Sequence, residues 1–196
     1  MKRAGFILFL FFCVWGGCSG PQATMTIHGT TSTAYDGYRV YLVPLPNPAQ
    51  KQVDSVTIHN GRFTFRVAAD SARICDIALS RKAGAHTERL LVVIEPGNLD
   101  VVIDSVSRGG GTPLNDTLQG WKERMADNRR LASRTADSQE RNSLLNAFKE
   151  ETVRLIANNP NVLGGFLYWL HRNNLTEEQH ARLKTDGLDK WLDYVR

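Results

Sequence analysis

The chain has 196 residues, of which 42% are hydrophobic and 22% charged, with a formal net charge of +4 at pH 7. That length suits one ordinary domain or two small ones, and Lys2 and Arg3, at the extreme N-terminus, account for two of the net positive charges. The rest is close to neutral, and its densest basic stretch, Lys122 to Arg134, also holds Glu123 and Asp127; it reads as a solvated helix face, and no nucleic-acid partner is expected.

Lys2 and Arg3 precede an uncharged, mostly apolar run from Ala4 to Trp15. A membrane-spanning helix needs about 20 such residues, so this run is too short to span. Its length and basic flank are those of a secretory signal sequence. Gly16 and Gly17 place two small side chains before Cys18. The arrangement resembles a bacterial lipobox, in which the cysteine thiol takes a diacylglyceryl group; Trp15 stands where Leu, Val or Ile is usual. Residues 1–17 are therefore expected to be a signal peptide, Cys18 the lipid attachment site and 18–23 a tether. Plain cleavage nearby, with Cys18 lost or left free, is the rival. Each buried methylene contributes about 0.8 kcal/mol, so several acyl chains would hold the protein to a membrane almost permanently. No acidic residue closely follows Cys18, which favours a periplasm-facing anchor, in the outer membrane rather than the inner.

Residues 24–106 read as a β-rich domain. "TMTIHG" and "GYRVYLVP" alternate apolar positions. In "VDSVTIHNGRFTFRV", Asn60-Gly61 is a favoured two-residue hairpin turn, since both central positions need positive φ. That turn predicts His59 opposite Arg62, Ile58 opposite Phe63 and Val56 opposite Phe65, with Ile58, Phe63, Val56 and Phe65 on one apolar face. "RICDIALS" puts Cys75, Ile77 and Leu79 on one face, "RLLVVIE" follows, and "EPGN" forms a turn with Pro96 and Gly97 at its centre. "LDVVID" returns. Seven short strands joined by turns predict an antiparallel β-sandwich-like or open-barrel half.

Residues 107–196 read as a helical region, giving an α+β chain. "SVSRGGGTPLND" predicts a flexible joint ending in a helix start, with Thr112 as cap and Pro113 in the first helical position. Leu114, Leu118, Trp121 and Met125 form one apolar stripe. Asp137 and Glu140 resemble a cap for a second helix, with Leu144, Leu145, Phe148, Thr152, Leu155 and Ile156 on its buried side. "NVLGGFLYWLHRN" reads as a short apolar helix whose two glycines allow close packing. "TEEQ" at Thr176–Gln179 fits a capping box. In the last helix Leu188, Trp191, Leu192 and Val195 make a stripe that must bury against this chain or a partner.

Few residues suggest chemistry. "GGGTPLN" precedes a helix and could cradle an anion, but it lacks the lysine and hydroxyl of a phosphate loop, so a hinge is the expected role. His28, His59, His86, His171 and His180 show no metal-ligand spacing, and neither H-E-x-x-H nor G-x-S-x-G occurs. Asp54-Ser55 are ordinary neighbours on a strand. Cys75, the one free thiol left once residues 1–17 are removed and Cys18 is lipidated, reads as a small core hydrophobe, since a reactive thiolate wants positive charge and solvent access. Tyr35, Tyr38 and Tyr41 could line a sugar- or peptide-binding face, although strands are rich in tyrosine anyway. No enzyme activity and no cofactor are expected.

Taken together and in this order, "DSVTIHNGRFTF", "IEPGNLDVVID" and "GTPLND" resemble the N-terminal domain of unknown function found in Gram-negative envelope lipoproteins. There it commonly precedes a thioredoxin-like thiol–disulfide domain. The resemblance implies an envelope location, a lipid anchor and a β-then-α architecture, and it supplies no activity. This sequence holds no Cys-x-x-Cys pair, so no redox residue carries over. The leading expectation is a binding or adaptor module with a thioredoxin-like protein partner. The alternatives are a peptide- or glycan-binding lipoprotein, a truncated remnant of a redox lipoprotein, and a thiol enzyme using Cys75.

Overall fold

A computed structural model of the chain describes residues 22–45, 54–79, 88–185, Leu188 and Trp191. Within them the strands are β1 (Thr24–Thr31), β2 (Arg39–Pro44), β3 (Asp54–Thr57), β4 (Arg62–Ala68), β5 (Arg73–Leu79), β6 (Glu88–Ile94), β7 (Gly97–Ile103) and β8 (Arg108–Gly110). The helices are α1 (Pro113–Arg134), α2 (Ser138–Ala157), α3 (Val162–His171) and α4 (Glu177–Thr185).

The strands form two four-stranded sheets, ordered β4-β1-β7-β8 and β3-β2-β5-β6, and neither closes into a barrel. All pairings are antiparallel except β1 with β7, which run parallel from Met25–Gly97 to Thr31–Ile103. The turn at Pro96-Gly97 explains this exception. It carries the chain from one sheet to the other, rather than back along β6, so β7 meets β1 instead of its sequence neighbour.

Period-two alternation places one apolar face of each sheet inward. Ile27, Phe65 and Leu99 from the first sheet meet Leu42, Ile77 and Val92 from the second in one buried cluster. Burying each such side chain contributes on the order of 1.5–3 kcal/mol. Gly29 leaves room for Phe63, whose ring would stand 2.0 Å from a Cβ placed there.

The Asn-Gly turn forms as its chemistry requires, with φ of 51° at Asn60 and 66° at Gly61. His59 and Arg62 exchange two backbone hydrogen bonds of 3.0 Å. Beyond that rung the strands part: β3 joins β2 and β4 joins β1. The predicted pairings of Ile58 with Phe63 and Val56 with Phe65 therefore do not form. Ile58, Phe63 and Phe65 are all buried in the same core, but they enter it from opposite sheets. The turn is fixed at this corner by Asp36, whose carboxylate accepts from the backbone N–H of Asn60 (3.0 Å) and Gly61 (2.8 Å).

The helices form a third layer on the outer face of β5 and β6. Ile74 and Val93 point outward and are buried with Leu118, Trp121, Ile156 and Leu163. Consequently β5 is buried on both faces from Ile74 to Leu79. The predicted stripe of α1 packs as read, with Leu118 and Trp121 buried. On α2 the buried set is Thr152, Val153 and Ile156, while Leu145 is exposed; the stripe rotates because only the second half of α2 lies over the core.

The glycines of α3 do allow close approach. A Cβ on Gly164 would stand 1.9 Å from the carbonyl oxygen of Asn159, and one on Gly165 2.7 Å from Trp191 Cβ. The capping box at Thr176–Gln179 forms in both directions, at 2.9 and 3.2 Å. Leu188 is buried and Trp191 packs against this chain's own helical core, with its indole N–H donating to the Pro160 carbonyl at 2.9 Å. Leu192 and Val195 lie outside the described residues, as do the signal segment and Cys18.

Candidate functional site

The stretch expected to be a joint or an anion cradle is neither. Arg108–Gly110 is β8, an edge strand paired antiparallel with β7. Its amides are committed internally: Gly109 N–H donates to Gln119 Oε1 (3.3 Å) and Gly111 N–H to Asp116 Oδ1 (2.7 Å).

Thr112 holds the N-cap position but makes no capping hydrogen bond. Glu95, at the end of β6, does that work. Its Oε1 accepts from the backbone N–H of Leu114 (2.8 Å) and Asn115 (3.3 Å). A carboxylate here satisfies orphan amides and favours the positive helix end. Asn115 in turn accepts from Val93 N–H (2.9 Å) and donates to Val93 C=O (2.7 Å), so a side chain substitutes for the neighbouring strand that β6 lacks. Lys122 Nζ lies 3.4 Å from the Leu91 carbonyl, and burial pushes its pKa down to about 8. Thus α1 closes the side of the sandwich where β6 and β8 end.

Cys75 is 1% exposed and faces the inter-sheet core beside Ile77 and Leu79. Burial pushes its pKa up to about 11, against smaller lowering effects from the Arg73 charge and hydrogen bond. Asp76, on the opposite face of β5, is also raised by burial, with Arg89 at 3.3 Å opposing the shift. Tyr35 and Tyr38 stack edge to face at 6.1 Å and pack on the core; Tyr41 alternates to the other face of β2. The three tyrosines do not form a common binding face.

The histidines are scattered. His28 and His59 are exposed on the first sheet and at the turn, His180 Nδ1 is 2.8 Å from the Tyr168 hydroxyl, and His86 lies outside the described residues. His171 is held against the Trp121 ring, and its Nε2 is buried without a hydrogen-bond partner. Burial lowers its pKa, with help from the Arg129 charge. Among the described residues, no group of three or more His, Cys, Asp or Glu could hold a metal ion, and no helix is long and apolar enough to cross a membrane.

Among the described residues, nothing closes the side opposite α1. Here the outer strands are β3 and β4, which diverge from the Asn-Gly turn. The parity of β4 follows from its bonds at each end. Arg62 faces His59, whereas Ala69 N–H donates to Ala23 C=O across the sheet at 2.8 Å. Phe63, Phe65 and Val67 therefore direct their backbone groups to β1, and Thr64 and Arg66 direct theirs outward. A cavity of about 350 Å³ lies at this open side, bordered by Leu42, Asp54, Ala68, Asp70, Arg73 and Cys75. Nothing in the sequence signalled this edge, because the hairpin pattern predicted β4 paired along its length with β3. The chain's first described residues dock at the same end: Gln22 Nε2 and Ala23 N–H donate to the Asp70 carboxylate at 3.0 and 3.1 Å.

A family model for a domain of unknown function spans the sandwich and the first turns of α1. Residues 25–118 are a DUF4369 domain. The DUF4369 domain thus begins at Met25 in β1 and ends at Leu118, the first fully buried residue of α1 beyond the Glu95–Asn115 network. Its limits enclose both sheets together with the helical segment that closes one side of them. The remainder of α1 and helices α2 to α4 lie outside the match. Comparisons with curated proteins and with solved structures returned no match.

Proposed function

We propose that the protein is a lipid-anchored, periplasm-facing component of the cell envelope whose folded body is a binding or adaptor module, serving a thioredoxin-like protein partner. The DUF4369 domain supports the envelope setting through its resemblance to the leading domain of thiol–disulfide lipoproteins. The basic start, short apolar run and Gly-Gly-Cys at positions 16–18 support the anchor. The observation that carries the reading is the docking of Gln22 and Ala23 onto Asp70. It gives the N-terminal segment a fixed point of departure at one end of the sandwich. A chain spans at most about 3.6 Å per residue, so a lipid on Cys18 holds that end within roughly 14 Å of the membrane surface. The position of Cys75 in the core, with its pKa raised, supports a module that binds rather than one that performs thiol chemistry.

Metabolic labelling with an alkyne palmitate tests the anchor. Incorporation is expected in the wild type and lost in Cys18→Ser; equal incorporation in both defeats the anchor. Pull-down from detergent-solubilised envelopes tests the adaptor role, which requires a stoichiometric protein partner.

A further inference from the structure

The open edge of β4 has the features of a strand-addition site. We infer that it receives an extended segment of a partner protein whose side chains alternate between acidic and apolar; this deepens the adaptor reading and rests on it. Thr64 and Arg66 present backbone N–H and C=O groups outward, with no strand beside them among the described residues. An incoming strand would take these bonds, and main-chain pairing of this kind supplies affinity while alternate side chains supply selectivity.

Charge decides one half of the alternation. Arg62 and Arg66 are both exposed, lie on the same outer face of the sheet and flank Thr64. Their register neighbours on β1 are Thr30 and Thr26, so no carboxylate stands beside them in the sheet, and neither forms an ion pair among the described residues. Strand side chains on one face recur about every 7 Å, which lets successive acidic residues of the incoming segment meet this row. The opposite face of the segment turns toward the gap between the sheets. Asp54 and Asp70 border the cavity there, beside Leu42, Ala68 and one cation, Arg73, which the two carboxylates outnumber. They disfavour further carboxylates and leave apolar side chains as the fitting occupants. Edge strands are commonly protected by charge; here the charges share one sign and sit on one face, so they select against basic strands while admitting acidic ones.

The probe is a fluorescein-labelled peptide alternating valine and glutamate, titrated with the full-length protein in detergent and read by fluorescence anisotropy. Saturable binding is expected. Methylating the alternate peptide amides that would bond to β4 keeps the charge and removes the donors, and it should weaken binding at least tenfold. The double variant Arg62→Glu with Arg66→Glu should weaken it similarly and gain binding to the same peptide with lysine in place of glutamate. Both positions are exposed, and the gained preference reports a folded variant. Absence of saturable binding, equal binding of the methylated peptide, or indifference to the double substitution each overturns the inference. If envelope pull-down recovers a partner equally with wild type and the double variant, the edge site fails while the adaptor role stands. Recovery with neither defeats the adaptor role itself.

Discussion

The Cys75 thiol begins a row that continues with Ile77 and Leu79 along one strand face, and it lies within reach of the Arg73 guanidinium on its own strand. Burial outweighs the cation, and the folded-state pKa rises from 9.0 to about 11. The unfolded chain therefore loses this proton first. Below about pH 9 both states hold it, and the group adds no pH dependence. From pH 9 toward 11 the unfolded state binds fewer protons, so stability falls as pH rises. Urea unfolding at pH 8 and pH 10.5 should show wild type losing roughly 1–2 kcal/mol relative to Cys75→Ala at the higher pH. A wild-type-to-variant difference that stays constant with pH would refute this account of the thiol. Native protein should also resist maleimide at pH 8 and react once unfolded. The alternation in "RICDIALS" already placed Cys75 with Ile77 and Leu79, because strand periodicity is local. That β5 is buried on its other face too was not readable from the same letters, since Asp76 interrupts the apolar run.

Between elements, the contact of α1 with β6 shows where local reading stops. Thr112-Pro113 announced the helix start correctly, but the carboxylate that receives its first amides belongs to Glu95, at the far end of the preceding hairpin-like excursion. No pattern within the helix points to it. By contrast the Thr176–Gln179 box, whose partners lie three residues apart, was fully legible. The Asn-Gly turn falls between these cases: its backbone conformation was encoded locally, while the sheet that each arm would join depended on β1 and β2. Asn115→Ala tests how much the long-range contact contributes. It leaves Val93 N–H and C=O without partners, and an unsatisfied buried group costs about 1–3 kcal/mol. Chemical denaturation should show a loss of about 2–4 kcal/mol; a loss below about 0.5 kcal/mol would mean that water or a neighbour replaces the amide. Thr112→Ala should cost less than Glu95→Ala in helix-end protection, reversing the order that the sequence suggested.

At the scale of the molecule, the three layers are not equally secured. The sheets and the facing halves of α1 and α2 share buried side chains, whereas between residues 126 and 147 only Ala132 is buried. This helical hairpin extends past the core, with Leu131 and Leu145 about half exposed. Native-state hydrogen exchange should find its amides opening on the order of 100-fold faster than those of β1 and β5. Equal protection would indicate that something else covers the hairpin. The sandwich itself was anticipated from turn spacing, yet the parallel pair of β1 and β7 was not, because it joins residues more than 70 positions apart and leaves no periodic trace. That pairing has a mechanical consequence. The strand nearest the N-terminus sits inside its sheet, held by seven register pairs on either side. A pull applied through the N-terminal segment is directed along β1, loading both ladders in shear so that their bonds resist together. An edge strand would instead peel away rung by rung. The domain is thus built to take tension at the end from which a leash would draw on it.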